Sequence, residues 1–218
     1  MTKAEEARAK RAAKLEAERA RLETMKVYER NYSAYTYICG VDEAGRGPFA
    51  GPVVAGAVIL DPEKEILYLN DSKKLSEKKR EALYDEIMEK AISVGVGIVD
   101  NHVIDEINIL QATYLAMRQA IAALDPQPDM ILADAVTIPE MIIPQVGIIK
   151  GDAKSVSIAA GSIIAKVTRD RLCLEYDKLY PEYGFASHKG YGTAAHIEAI
   201  RKYGPLDIHR RTFIHKYI

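Results

Sequence analysis

Residues 38–60 read ICGVDEAGRGPFAGPVVAGAVIL, and the fold turns on how this stretch is parsed. Ile38 to Asp42 is apolar up to its last residue and predicts a buried strand; Pro52 to Leu60 predicts a second. Between them, Gly45, Gly47, Gly51 and Pro48 make a tight loop. The gap is too short for a crossover helix, so the two strands are expected to pair antiparallel. Asp42 and Glu43 therefore stand at a strand end, on the threshold of a glycine loop.

Downstream, the pattern alternates. A polar turn at 71–75 precedes a helix over Ser76–Lys90, followed by a strand at Ser93–Val99 and a helix over Asp105–Leu124. Short strands at Met130–Asp134 and Gln145–Ile149 flank two prolines. A long helix covers Ser155–Tyr180, and a later one, Ala194–Tyr203, stops at Gly204-Pro205. Strands alternating with helices favour parallel pairing after the first hairpin. The expected class is α/β, a mixed five-stranded sheet flanked by helices.

Residues 1–30 are rich in Ala, Glu, Lys and Arg, all good helix formers, with only a thin apolar stripe of Leu15, Leu22 and Met25. They are expected to form a loosely attached, solvent-exposed helix, with Asn31–Thr36 as linker. The division is a charged helical extension and linker at 1–36 and a compact domain at 37–218. At ~100–200 residues per domain, the 218-residue chain is one domain with an appendage.

The formal net charge of −1 hides an uneven distribution: about +3 over residues 1–30, −9 over 31–149 and +5 over 150–218. A polyanion responds to the local field, so a neutral total does not exclude nucleic acid. Two cysteines, Cys39 and Cys173, are too few for a disulfide framework or a thiolate zinc site. No apolar run reaches the ~18–20 residues of a membrane span, and the charged N-terminus lacks a signal peptide's apolar stretch. A cytoplasmic protein with no membrane partner is expected, and a monomer, since the domain needs no second chain to complete its core.

The glycine loop does not fit a nucleotide-binding fingerprint: its spacing is wrong and a strand follows it, not a helix. The carboxylates are more telling. Asp42, Glu43, Asp134 and Asp152 all lie at or just past strand ends and can meet at one end of the sheet. Hard oxygen ligands of this kind suit magnesium or manganese. Two such ions roughly 3.5–4 Å apart clamp the attacking and leaving oxygens of a phosphoryl displacement. Asp170, inside the long helix beside Arg169 and Arg171, reads as a surface ion pair and is held in reserve as a ligand. Lys73 and Lys74 on the 71–75 turn, and Lys189 with Tyr191 in Ser187-His-Lys-Gly-Tyr-Gly-Thr193, suit a sugar–phosphate backbone.

Taken together, VDEAGRGP (41–48), DSKKL (71–75), Asp134, KGDAKS (150–155), AKVTRDR (165–171) and HKGYGT (188–193) resemble a type 2 ribonuclease H, most closely bacterial ribonuclease HII. The resemblance spans roughly Tyr37 to Phe213. It implies a ribonuclease H-like fold and metal-dependent endonucleolytic cleavage of RNA in RNA–DNA hybrids, including single ribonucleotides embedded in duplex DNA. By the same resemblance Asp42, Glu43, Asp134 and Asp152 are the catalytic acids and the ligands of two Mg2+ or Mn2+ ions. Gly45, Arg46 and Gly47 would sense the ribose 2′-hydroxyl, and Tyr191 the junction where RNA passes into DNA. Ala135 departs from the family's usual glycine after the strand aspartate. The sister type HIII typically carries Gly-Lys-Gly in the first loop and glutamate as the last acid, so Arg46 and Asp152 favour type HII. A junction resolvase would need no 2′-hydroxyl sensor, and a non-catalytic hybrid-binding module would not need four carboxylates.

Overall fold

A computed structural model describes residues 2–218. Five strands, β1 (Ile38–Ala44), β2 (Val53–Ile59), β3 (Ser93–Val99), β4 (Met130–Asp134) and β5 (Gln145–Ile148), form one sheet in the order β3-β2-β1-β4-β5. The helices are α1 (Lys3–Met25), α2 (Val27–Asn31), α3 (Glu77–Lys90), α4 (Asn101–Ala122), α5 (Val156–Leu179), α6 (Phe185–His188), α7 (Ala194–Tyr203) and α8 (Arg211–Ile214). The mixed sheet flanked by helices is the expected architecture.

Pairing departs from expectation at one edge. β1, β4 and β5 are parallel, but β3 runs antiparallel to β2, although α3 lies between them in sequence. The chain comes back along β2 in the opposite direction after α3, so the first three strands are an interrupted meander. β1 also continues two residues past Asp42, with Glu43 opposite Ala55 and Ala44 opposite Val54. Helix α4 begins at Asn101, four residues early, because Asp100 caps it through the Val103 N–H at 2.9 Å. It is interrupted at Asn108 (φ 68°), whose Oδ1 accepts from the Leu110 and Gln111 N–H groups at 3.0 and 3.2 Å and restarts the helix.

Each face of the sheet is buried. On one, Cys39, Val41, Ala55 and Ala57 pack with Ala112, Ala116 and Met117 of α4. On the other, Val58 packs with Ala160, Ile163 and Ile164 of α5, and with Leu83 and Ile87 of α3. Helix α5 approaches the sheet so closely that a Cβ at Gly40 would overlap the Ser157 and Ile158 backbone. One turn on, a Cβ at Gly161 would stand 3.3 Å from the Asp42 nitrogen, so α5 runs beneath the end of β1 that carries Asp42.

The N-terminal segment is not loosely attached. The first turns of α1 are exposed, but Leu22 and Met25 are buried in the α5 face of the core. The Arg21 guanidinium donates to the Leu69 carbonyl at 2.7 Å, and the Tyr68 N–H donates to Glu18 at 2.9 Å. Tyr28 of α2, Tyr32 and Tyr35 pack on Met130, Leu132 and Ile158. Burial carries this docking: each buried apolar side chain is worth ~1.5–3 kcal/mol. The exposed Arg19–Glu65 pair adds little. Sequence reading undervalued two residues of a thin stripe, because their partners lie far along the chain.

Among the described residues no helix is long and apolar enough to cross a membrane. Cys39 and Cys173 are free and buried, as small core residues.

Candidate active site

β1 and β4 lie side by side and parallel, with Val41 paired to Ala133. Asp42 and Asp134 are the next residues on each, so they share one face at the same end of the sheet. The chain leaving β5 turns through Lys150, in the left-handed region at φ 58°, into a short 3-10 turn at Gly151–Ala153 that carries Asp152. The Gly151 N–H donates to Asp134 Oδ1 at 2.6 Å and ties that turn to the strand end. Glu43 leaves β1 on the opposite pleat, and its carboxylate is drawn to the Arg46 guanidinium at 3.5 Å.

The electrostatics show a site short of positive charge. Burial holds the Asp42 carboxyl well above the ordinary carboxylate range, and the charges of Glu43 and Asp134 push it further; Ser162 and the Glu43 N–H (2.7 Å) work against this. Glu43 is raised by burial and by Asp134, against the pull of Arg46. Asp152 is raised by burial, then by Asp71 and Asp134. Lys73 answers them: burial opposes its charge, but Asp42, Asp71, Asp152 and Glu43 outweigh burial and raise its pKa.

Among the described residues no three His, Cys, Asp or Glu side chains are gathered as a ready metal cage. Each carboxylate instead leans on a protein partner: Asp42 on the Glu43 N–H, Glu43 on Arg46, Asp134 on the Gly151 N–H. The donor set nonetheless fits a hard divalent cation. It is all carboxylate oxygen, it is largely buried, and the proton affinities that burial and neighbouring charge raise at Asp42, Glu43 and Asp152 are what a bound cation relieves.

Beside the acids is a cleft of about 390 Å³, lined by Glu43, the 44–47 loop, Ser72, Lys73, Lys166 and Tyr191. The Tyr191 ring, half-exposed, stands 3.5 Å from where a Gly47 Cβ would lie, so the 45–47 loop and Tyr191 form adjoining walls. Gly45 has φ 98°, and a Cβ there would fall on the Arg169 guanidinium. Glycine is required on both counts.

Two predicted contact residues do not join the cleft. Lys74 is exposed and leans on Asp71 at 3.8 Å, because the 3-10 turn at Ser72–Lys74 points successive side chains apart. Lys189 is in the left-handed region (φ 50°); its carbonyl accepts from Arg169 at 2.9 Å, and its side chain does not line the cleft. Asp170 is not on the surface either. It is 5% exposed, accepts from Lys166 at 2.7 Å and stands 3.7 Å from Arg80. Those two cations occupy it, and it holds Lys166 toward the cleft.

Sequence reading missed Lys166, Asp71, Ser162, Arg169 and Arg210. Lys166 and Arg169 lie within AKVTRDR, where nothing local separates a cleft cation from a surface one. Arg169 is buried, and its guanidinium donates to the carbonyls of Pro52 (3.1 Å), Ala50 (3.0 Å) and Lys189 (2.9 Å). Arg210, also buried, donates to the carbonyls of Gly51 (2.9 Å), Arg46 (2.9 Å) and Gly45 (2.6 Å). Among the described residues neither guanidinium forms an ion pair: backbone oxygens take the place of water around both charges.

A family model described as Ribonuclease HII matches residues 39–216. Curated relatives named Ribonuclease HII include one from Lachnoclostridium phytofermentans, 67% identical over 201 residues, covering 92% of this chain and 79% of that protein. Another, from Clostridioides difficile, is 55% identical over 208 residues, covering 94% and 82%. The crystal structure of ribonuclease H2 from Pyrococcus horikoshii OT3 superposes with a TM-score of 0.70 at 30% identity, covering 84% of this chain and 97% of that one. The sheet with its strand-end acids thus has a known lineage: the chain belongs to the ribonuclease HII family, metal-dependent endoribonucleases that act on the RNA of RNA–DNA hybrids.

Proposed function

We propose that the enzyme cuts on the 5′ side of single ribonucleotides embedded in duplex DNA as well as within longer hybrids. The products are 3′-hydroxyl and 5′-phosphate ends. The observation that carries this reading is the adjoining of the 45–47 loop and Tyr191 along a cleft that Glu43 also lines. A 2′-hydroxyl distinguishes RNA from DNA at a single nucleotide, and a loop of glycines lets backbone groups come close enough to read it.

Asp42, Glu43, Asp134 and Asp152 are the catalytic acids and would hold two divalent cations, Mg2+ or Mn2+. Bound there, such cations supply positive charge to the attacking and departing oxygens of an in-line displacement. The protein's own groups do the rest. Arg46 and Lys73 offer positive charge to the phosphates flanking the cut. The Tyr191 ring stacks on the nucleotide at the RNA-to-DNA step. Gly45, Arg46 and Gly47 present the backbone that contacts the ribose. Lys74 and Lys189 are left to the outer phosphates. Residues 37–218 are the catalytic domain with 1–36 as an element docked on it, and the enzyme works as a cytoplasmic monomer.

The test is cleavage of a DNA duplex carrying one ribonucleotide, with magnesium or manganese, beside an all-DNA duplex and the Asp42→Asn variant. A metal-dependent cut 5′ to the ribonucleotide, absent from both controls, is the expected result. Cutting of long hybrids alone would reject the single-ribonucleotide activity.

A further inference from the structure

Two consecutive residues near the C-terminus, His209 and Arg210, each reach a different wall of the cleft. Arg210 forks onto the carbonyls of Gly45, Arg46 and Gly51, and its own N–H donates to Phe49 O at 2.8 Å. His209 is fully buried, as is His196. The Leu206 N–H donates to His209 Nδ1 at 2.8 Å, so that nitrogen carries no proton. The neutral ring then has its proton on Nε2, which lies 3.0 Å from His196 Nε2 and donates to it. The His196 proton is therefore on Nδ1, which donates to the Tyr191 carbonyl at 2.9 Å. Every donor in this chain meets one acceptor, and the sequence of bonds leaves no choice of tautomer.

The same loop is gripped from a second side. His188 Nδ1 accepts from the Gly190 N–H at 3.1 Å, and its ring stacks on His196 at 4.4 Å between centroids. The Gly190 carbonyl accepts from the Phe49 N–H at 2.7 Å. Walls that belong to distant parts of the sequence are thus keyed to one short segment, 206–210. Neither His209 nor Arg210 lines the cleft.

We infer that His209 and Arg210 register the 45–51 loop against the Tyr191 loop, His209 acting through His196, and that they are positioning residues for substrate selection. What the registration does for selectivity rests on the roles proposed above for the 45–47 loop and Tyr191. The registration itself does not.

The test compares His196→Asn with His196→Gln in the full-length protein. Asparagine's amide sits where Nδ1 does and keeps a donor toward the Tyr191 carbonyl but does not reach His209; glutamine's amide sits where Nε2 does and reaches His209 but loses the Tyr191 bond. Hydrogen exchange of the 185–193 segment reads the registration without substrate. Both variants are expected to speed that exchange, because each breaks one of the two bonds that run from His209 through His196 to the Tyr191 carbonyl. Arg210→Lys, which keeps the charge and loses the fork, is expected to speed exchange over 45–51. Selectivity is read as kcat/KM on the single-ribonucleotide duplex divided by that on a long hybrid. It is expected to fall about tenfold in His196→Gln, the size of one lost hydrogen bond. No further fall is expected when His196→Gln is added to Tyr191→Ala. Exchange near wild type in His196→Asn, which has lost the His209 bond, overturns the inference even if Arg210→Lys fails to fold. Altered exchange with unchanged selectivity in Tyr191→Ala supports the registration and rejects the proposed role of Tyr191.

Discussion

Glu29 Oε1 accepts from the Ser155 hydroxyl at 2.6 Å and from the Ser157 N–H at 3.0 Å, so a carboxylate from the N-terminal segment caps the start of α5. The helix dipole favours a negative charge there. Asp152 lies three residues before Ser155, so the docked segment braces the base of the turn that carries an acid. Removing residues 1–36 should therefore lower the melting temperature while leaving the metal-dependent chemistry in place. Met25→Ala alone should cost ~2 kcal/mol as a core truncation, or several degrees for a chain of this size. Thermal unfolding of both variants checks this. An unchanged melting temperature in the deletion would mean that the docking contributes no stability.

Asp42→Asn separates function from stability. The carboxyl of Asp42 is held well above its ordinary value by burial and by Glu43 and Asp134. A carboxylate whose folded pKa is raised makes the folded state bind more protons than the unfolded state. Its ionisation then costs stability as the pH rises through that range. Replacing it with a neutral isostere should raise the melting temperature at pH 7 in chelator, while cleavage falls by at least three orders of magnitude. Magnesium should stabilise the wild type more than the variant. Calorimetry with and without the ion reads both effects, and a variant less stable than wild type in chelator would contradict this account of the cluster.

Asp152 and Asp170 should fail in different ways. Asp152→Asn removes a proposed ligand whose carboxylate is already disfavoured by burial, and should abolish cleavage with little loss of fold. Asp170→Asn leaves Lys166 and Arg80 without their shared carboxylate. Breaking a buried pair by removing one partner costs ~3–5 kcal/mol, so this variant should be marked by instability first. Activity and melting temperature on the same samples distinguish them. A stable, inactive Asp170→Asn beside an active Asp152→Asn would move the fourth acid onto α5.

How much of this was legible depends on how local the information is. The strand hairpin around Asp42, the alternation that follows and the strand-end positions of Asp134 and Asp152 are written in short windows, and all reappear in the fold. The direction of β3 is not, because periodicity identifies a strand without saying which way it runs. Arg169 reads as part of a surface ion pair, and Arg210 as one of a basic set open to either phosphate or solvent, since nothing near them in sequence shows that six backbone carbonyls from remote loops converge on them. Asp170 reads as exposed for the same reason: Arg80 belongs to a different helix. Lys74 looks equivalent to Lys73 until the turn geometry sends them apart.

The histidine chain sets the acid limb of stability. Burial lowers His196 and His209 to about 4; His188 adds to this at both rings, and His196 and Arg211 add to it at His209, while the bond from His196 to the Tyr191 carbonyl pulls the other way. In the unfolded chain these imidazoles titrate near the ordinary value of about 6.5. Between those two pH values the unfolded state binds protons that the folded state refuses. The stabilisation is thus complete above about pH 6.5 and drains away as the pH falls toward 4, at up to ~1.4 kcal/mol per pH unit for each ring. A raised carboxylate acts in the opposite sense as the pH falls, so neutralising Asp42 in Asp42→Asn should steepen the net loss. Melting temperatures from pH 7.5 to 4.5 should fall more gently in His196→Asn than in the wild type, because one titrating ring is gone while its donor to Tyr191 is kept. Parallel curves would show that His196 titrates alike in both states, and that the buried chain accepts a proton as readily as water does.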